Sequence, residues 1–151
     1  MEDLARYLEE IVDPTIEDFE QHPTSVRHAF LACVAVFHSV DYLAYPRKSQ
    51  SIRQQFRRES DSFKVVDQVA HAFKHVQCGV DGSHLIASEV ISRPPGIWGV
   101  AQWDLSRWDD PIGGVTLDKN RTVDVLEVVK RARAFLGEKI ARTTATEGAA
   151  V

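Results

Sequence analysis

The stretch from Ser25 to Ala44, SVRHAFLACVAVFHSVDYLA, carries large apolar side chains around most of its circumference. On a helical wheel Val26, Phe30, Cys33, Phe37 and Val40 line one stripe, while Leu31, Val34, Val36 and Leu43 fall well away from it. A narrow strip of His28, Ala32, Ala35 and Ser39 lacks a large apolar group. A helix of this kind is stable in water only when neighbours cover most of its sides. Thr24 or Ser25 can cap it and Pro46 stops it. The sequence therefore predicts a central helix over residues 25–44 with other elements packed around it.

The neighbours can be read from their periodicity. Leu4, Leu8, Ile11 and Val12 mark a short amphipathic helix over 2–12, which Asp13-Pro14 should end, with Ile16 and Phe19 anchoring a further turn. Residues 49–59 read as a helix with Ile52 and Phe56 inward and the arginines outward. Residues 61–78 read as another, capped by Asp61 or Ser62 and closed by Gly79. Its expected buried face is Val65, Val66, Val69, Phe73 and Val76, with Asp67, His71, Lys74, His75 and Cys78 opposite. After the turn residues Asp81-Gly82, the period changes. Residues 84–92, 97–105 and 115–117 read as strands, separated by Pro94-Pro95-Gly96 and by Pro111 to Gly114. Such short connections imply antiparallel pairing. Residues 122–141 then return to a helical pattern on Val125, Val128, Val129, Ala132, Phe135, Leu136 and Ile140.

The fold class that follows is mainly α: a helical bundle with a small antiparallel β insert before the C-terminal helix, α+β by strict count. Residues 1–142 should form a single domain with the insert at about 84–117, and 143–151 a disordered tail. The chain has 151 residues, enough for a core without disulfide or metal staples. Cys33 and Cys78 belong to no C-x-x-C pair and read as reduced thiols, the N-terminus is acidic from its second residue, and the longest apolar run, Ala29 to Phe37, is too short for a bilayer. The expectation is a cytoplasmic protein that needs no cofactor and no membrane.

No motif in the chain identifies an activity. There is no G-x-S-x-G, no glycine-rich phosphate loop and no aromatic-interleaved basic platform. Four groups of residues could carry chemistry. His71 and His75 stand four apart on one helix face with Asp67 a turn earlier, a spacing that can offer metal ligands. The glutamate of H-E-x-x-H is missing, Lys74 intervenes and no third ligand is evident, so no metal is expected there. His38 and Asp41 lie three apart, with Asp41 close to the apolar stripe, where a carboxylate is costly unless paired. His38, Asp41, His71 and His75 together would make a catalytic site only if two helix faces met. Arg53, Arg57 and Arg58 belong to a basic segment, 47–59, that holds five bases against Glu59 on a chain of net charge −4. They are phosphate-binding candidates, although a solvated face with weak or no nucleic-acid binding is the plainer expectation. Trp98, Trp103 and Trp108, equally spaced in the β-rich insert, are expected to cover part of the helical core, and any one or two left exposed would mark a contact surface.

One resemblance bears on these readings. The succession of VRHAFLACVAVFHSVDYLAYP, an arginine-bearing helix and VVDQVAHAFKHV resembles the bacterial HEPN-type helical domains over residues 24–78 and the last helix. The resemblance implies a helical bundle, frequent homodimerisation and, in some members, metal-independent ribonuclease activity. The ribonuclease members use an R-x(4–6)-H motif, and no arginine of this chain has a histidine at that spacing. No catalytic residue is carried over, and the β insert lies outside the minimal bundle. The leading expectation is a non-enzymatic interaction domain that self-associates and can take a protein partner. The alternative is an RNA- or nucleotide-directed enzyme using the His71 and His75 face.

Overall fold

The computed structural model describes residues 2–79, 82 and 84–148, except for the side chains of Arg121 and of 143–148. It is mainly helical, with a small three-stranded antiparallel sheet before the last helix. The order is α1 (Glu2–Tyr7), a π-helical turn (Leu8–Val12), α2 (Asp13–Gln21), α3 (Val26–Ala44), α4 (Gln50–Glu59), α5 (Asp61–His75), β1 (Val90–Arg93), β2 (Gly114–Leu117), β3 (Asn120–Asp124) and α6 (Val125–Gly148).

α3 is the central element and touches α1, α2, α4, α5, α6 and β1. Ser25 caps it, its hydroxyl accepting from the His28 N–H. The narrow strip of small residues is among the most buried parts: Ala32, Ala35 and Ser39 are inaccessible or nearly so, whereas Leu31 faces outward. Small side chains there let neighbouring helices come close. Val36 and Val40, beside this strip, join the core with Phe19, Phe63, Val66, Val69, Val129 and Leu136.

Several expected boundaries move for physical reasons. The helix does not end at Asp13-Pro14. The π turn precedes it, the Asp13 N–H donates to the Leu8 carbonyl, and the helical backbone runs on into α2 through Pro14, which has no N–H to place. α5 is capped by Ser60 rather than Asp61 or Ser62. It stops at His75, because Val76 turns to φ +67°, so Gly79 is not its terminator. Phe73 and Val76, read as buried, are exposed, whereas Asp67 and Cys78, read as outward, are buried. The reason is that α4 lies over the flank of α5 that carries Asp67, and the segment after the helix folds back through Gln77, which bridges Ile86.

The sheet is shorter than expected at its start and extends beyond 117. Within 84–92 only Val90 onward joins β1, after a 3-10 turn at Ala87–Glu89. β2 pairs with β1, Arg93 opposite Gly114, and with β3, so residues 122–124 are strand rather than the start of the last helix. Val90 and Val115 turn into the core against α3 and α6. Residues 97–105 are not a strand. Their backbone closes local turns instead, with Ala101 N–H on Ile97 O at 2.9 Å and Ser106 N–H on Gln102 O at 2.9 Å. α6 continues past 142 to Gly148, and the rest of the expected tail, 149–151, lies outside the described residues, as does Asp81 of the expected turn.

Candidate functional site

Two places concentrate polar or exposed aromatic groups: a charged cluster where α3, α4 and α5 meet, and the long connection between β1 and β2.

The cluster is built around Phe37. The Arg53 guanidinium from α4 lies over its ring, 4.0 Å from the centroid, and His38 and His71 both meet the ring edge-on with centroids 5.1 Å away. Each histidine has its own carboxylate. The Nδ1 of His38 is 2.8 Å from Oδ2 of Asp41, which also takes Arg53 Nη2 through both oxygens at 2.5 and 2.6 Å and the Ser49 hydroxyl at 2.5 Å. Burial works against the charge of Asp41, but the hydrogen bonds from Ser49 and His38 and the Arg53 charge outweigh it. They hold its carboxyl below the usual carboxylate range. Asp67 has no exposed surface. Arg57 Nη1 reaches its Oδ2 at 2.5 Å, and His71 Nδ1 lies 2.6 Å from Oδ1 and 2.9 Å from its main-chain carbonyl. The carbonyl has the better hydrogen-bond alignment, and Oδ1 acts on the imidazole as a neighbouring charge.

This arrangement corrects the expectation that the arginines of α4 face out. Arg53 and Arg57 turn inward because each finds a partly or wholly buried carboxylate on the adjoining helix, while Arg58 stays exposed. The phosphate-binding trio is therefore divided. Of the four histidine and aspartate candidates, His38 and His71 share the Phe37 ring, Asp41 supports the first, and His75 is exposed with its ring 6.2 Å from that of His71. Among the described residues, no group of three or more histidine, cysteine, aspartate and glutamate side chains stands where it could hold a metal ion. Burial pushes the Cys33 thiol well up, so it is an inert core group. On the far side of Asp41 a groove of about 580 Å³ runs between α1 and the end of α3, lined by Tyr7, Tyr42 and Tyr45 among others. Tyr7 and Tyr42 stack at 4.2 Å, and the Tyr7 hydroxyl donates to the Ala35 carbonyl. Burial, helped by Tyr42 and Asp41, pushes the Tyr7 phenol up to about 12.

The second place is the β1–β2 connection, residues 94–113. Its ends are held together by the Arg93–Gly114 pair, yet it spans twenty residues without a helix or strand. Connections of that length inside a compact domain are uncommon and are usually functional. Its base is rigid. Arg93 is buried, with its guanidinium between the carboxylates of Asp110 and Asp124, the latter at 3.1 Å. Asp124 also accepts from the Glu127 N–H and so caps α6. A side chain at Gly114 would meet this guanidinium at 2.9 Å, and one at Gly96 would collide with the Arg107 carbonyl. Burial disfavours the charge of Asp110, but the Gly113 N–H, Arg93 and the Ile112 N–H outweigh it and keep its carboxyl below the ordinary range.

From this base the loop projects Trp98, 94% exposed, Trp103, 87%, and Trp108, 63%. The rings of Trp98 and Trp103 stand 6.4 and 6.3 Å from that of Trp108 and frame a hollow of about 610 Å³. Ile97, Val100 and Ile112 on the same loop are also exposed. The indoles therefore do not cover the helical core, contrary to the expectation that some of them would. Arg93 went unnoticed in the sequence. An arginine ending a strand before two prolines and two downstream acids was the available signal, but nothing marks it as buried.

No family model matches the chain, and neither the curated proteins nor the solved structures give a match. Among the described residues no helix is long and apolar enough to cross a membrane.

Proposed function

We propose that this chain is a non-enzymatic interaction domain whose contact surface is the tryptophan loop 94–113. The observation that carries the reading is the exposure of all three indoles on a loop with a fixed base. Tryptophan is the residue most often found at energetic centres of interfaces and is costly to leave in water in a group of three. The buried Arg93 fixes the two ends of the loop, which lowers the ordering cost of binding at its base. The same reading takes the bundle as a divergent HEPN-like domain without the ribonuclease motif. Affinity capture at low bait concentration tests it, comparing the wild type with the triple variant Trp98→Ser/Trp103→Ser/Trp108→Ser. The proposal expects specific partners, including further copies of the chain, that the variant loses. Identical capture by both proteins contradicts it.

A second reading rests on Asp67 and His71. The Asp67 main-chain carbonyl orients the imidazole through Nδ1 with the buried carboxylate beside it, and the partly exposed ring is available for proton transfer, as general acid–base catalysis requires. This favours an RNA- or nucleotide-directed hydrolase that uses the α5 face, His75 included. Cleavage of a mixed RNA substrate by the wild type, abolished in His71→Ala with the fold retained, supports it. No turnover above the His71→Ala background removes it.

A further inference from the structure

We infer that the partner seated on the tryptophan loop is a second copy of this chain, joined loop to loop across a two-fold axis. The inference rests on the interaction reading above and names the occupant of that surface.

Area is the first argument. Fully buried aromatic side chains remove roughly 150–250 Å² each from water. At the exposures observed, the three indoles offer on the order of 500 Å² per copy, and two facing loops about 1,000 Å² in all. That already reaches the size at which specific interfaces begin, and Ile97, Val100 and Ile112 extend it. A patch of this size is at the upper limit of what a monomer leaves uncovered.

Self-complementarity is the second. In an isologous interface one surface must fit itself, in shape and in charge. The loop supplies both halves of such a fit. Trp98 and Trp103 protrude almost completely, and the hollow beside them is roomy enough to admit an indole from the facing copy. Arg107 and Asp109 flank Trp108 with opposite charges, and Asp104 adds a second exposed acid on the lining of the hollow. The contact between Arg107 and Asp109 is loose, 3.5 Å, and both side chains are at least half exposed. Such a pair exchanges readily for the equivalent pair across a two-fold axis.

Third, the loop lies apart from the packed face of the sheet. β1 and β3 flank β2, the inner face of the sheet is packed on α3 and α6, and the loop stands out beyond the Arg93–Gly114 end. The loop can therefore meet its copy without any change in the bundle.

Sedimentation velocity over a range of concentrations tests the inference on the full chain. The wild type should dimerise with a dissociation constant in the micromolar range or tighter. Trp103→Ser should weaken this by roughly 30-fold or more, as for an interface hot spot, and the triple tryptophan variant should be monomeric throughout. Arg107→Glu should weaken it, with recovery in Arg107→Glu/Asp109→Arg. Circular-dichroism melts of dilute samples keep loss of fold from counting as loss of contact. A wild type that stays monomeric at every concentration overturns the inference, as does a dimer that survives the triple variant. If the monomeric wild type still captures a different protein through the tryptophans, this inference fails and the interaction reading stands. If the tryptophans govern neither, both fail.

Discussion

Arg57 Nη1 lies 2.5 Å from Oδ2 of Asp67, a carboxylate without any exposed surface that sits on the flank of α5 facing α4. Taking either charge out of water alone would be expensive, and the pair is tolerable because each neutralises the other. Removing one partner strands the other. Asp67→Ala is therefore expected to cost about 3–5 kcal/mol. Urea denaturation measures it, and a loss below about 1 kcal/mol would mean that Asp67 is hydrated in solution.

Phe37 carries Arg53 on its face and His38 and His71 on its edges. Phe37→Ala should cost about 3–5 kcal/mol, the range for a large aromatic removed from a packed core. It should also change the chemical shifts of both imidazoles, because both lose the ring current of one phenyl group. Two unchanged histidine signals would separate the rings that the structure joins.

Asp110 gives the base of the loop a pH dependence with a defined sign. Its carboxyl is held below the ordinary range, so it contributes stability above its unfolded value of about 3.9 and loses it as pH falls through the lower folded value. Asp110→Asn should be less stable than the wild type near neutrality, and the gap should close on acidification below about pH 4. Thermal melts across that range provide the check. A gap independent of pH would place the carboxylate outside the Arg93 contact.

The basic segment should bind nucleic acid poorly. Arg53 and Arg57 are committed to Asp41 and Asp67, leaving Arg47, Lys48 and Arg58 exposed. Any affinity for duplex DNA should fall with salt with a log–log slope no steeper than about −3. Tight, sequence-selective binding near physiological salt would contradict the assignment of these two arginines.

The bundle was legible where side-chain pattern and packing agree. α3 announced itself because nearly every side is apolar, and Ser25 and Pro46 bracket it in the sequence as in the structure. The charged cluster was half legible. The wheel placed Asp41 beside His38, but nothing local shows that Arg53 and Arg57 cross from another helix, because that depends on how α4 lies over α3 and α5. Asp67 was read as an outward group for the same reason. Ile97 to Leu105 alternates like a strand, yet its backbone bonds are spent in local turns, and Asp104 at φ +64° breaks any extended run. β3 was overlooked because Asn120–Asp124 contains one apolar residue, Val123, and its pairing is fixed by the Leu117–Asn120 turn rather than by burial.

All three tryptophans of the chain lie on the loop, so tryptophan fluorescence, excited selectively over the tyrosines, reports on that surface. The central claim is that the loop is covered by a second copy. Emission and acrylamide quenching followed through a dilution series test it most directly. The account predicts blue-shifted, quencher-protected emission at high concentration that turns red-shifted and accessible on dilution, in step with the change in sedimentation. Fully accessible, red-shifted emission at every concentration would contradict it.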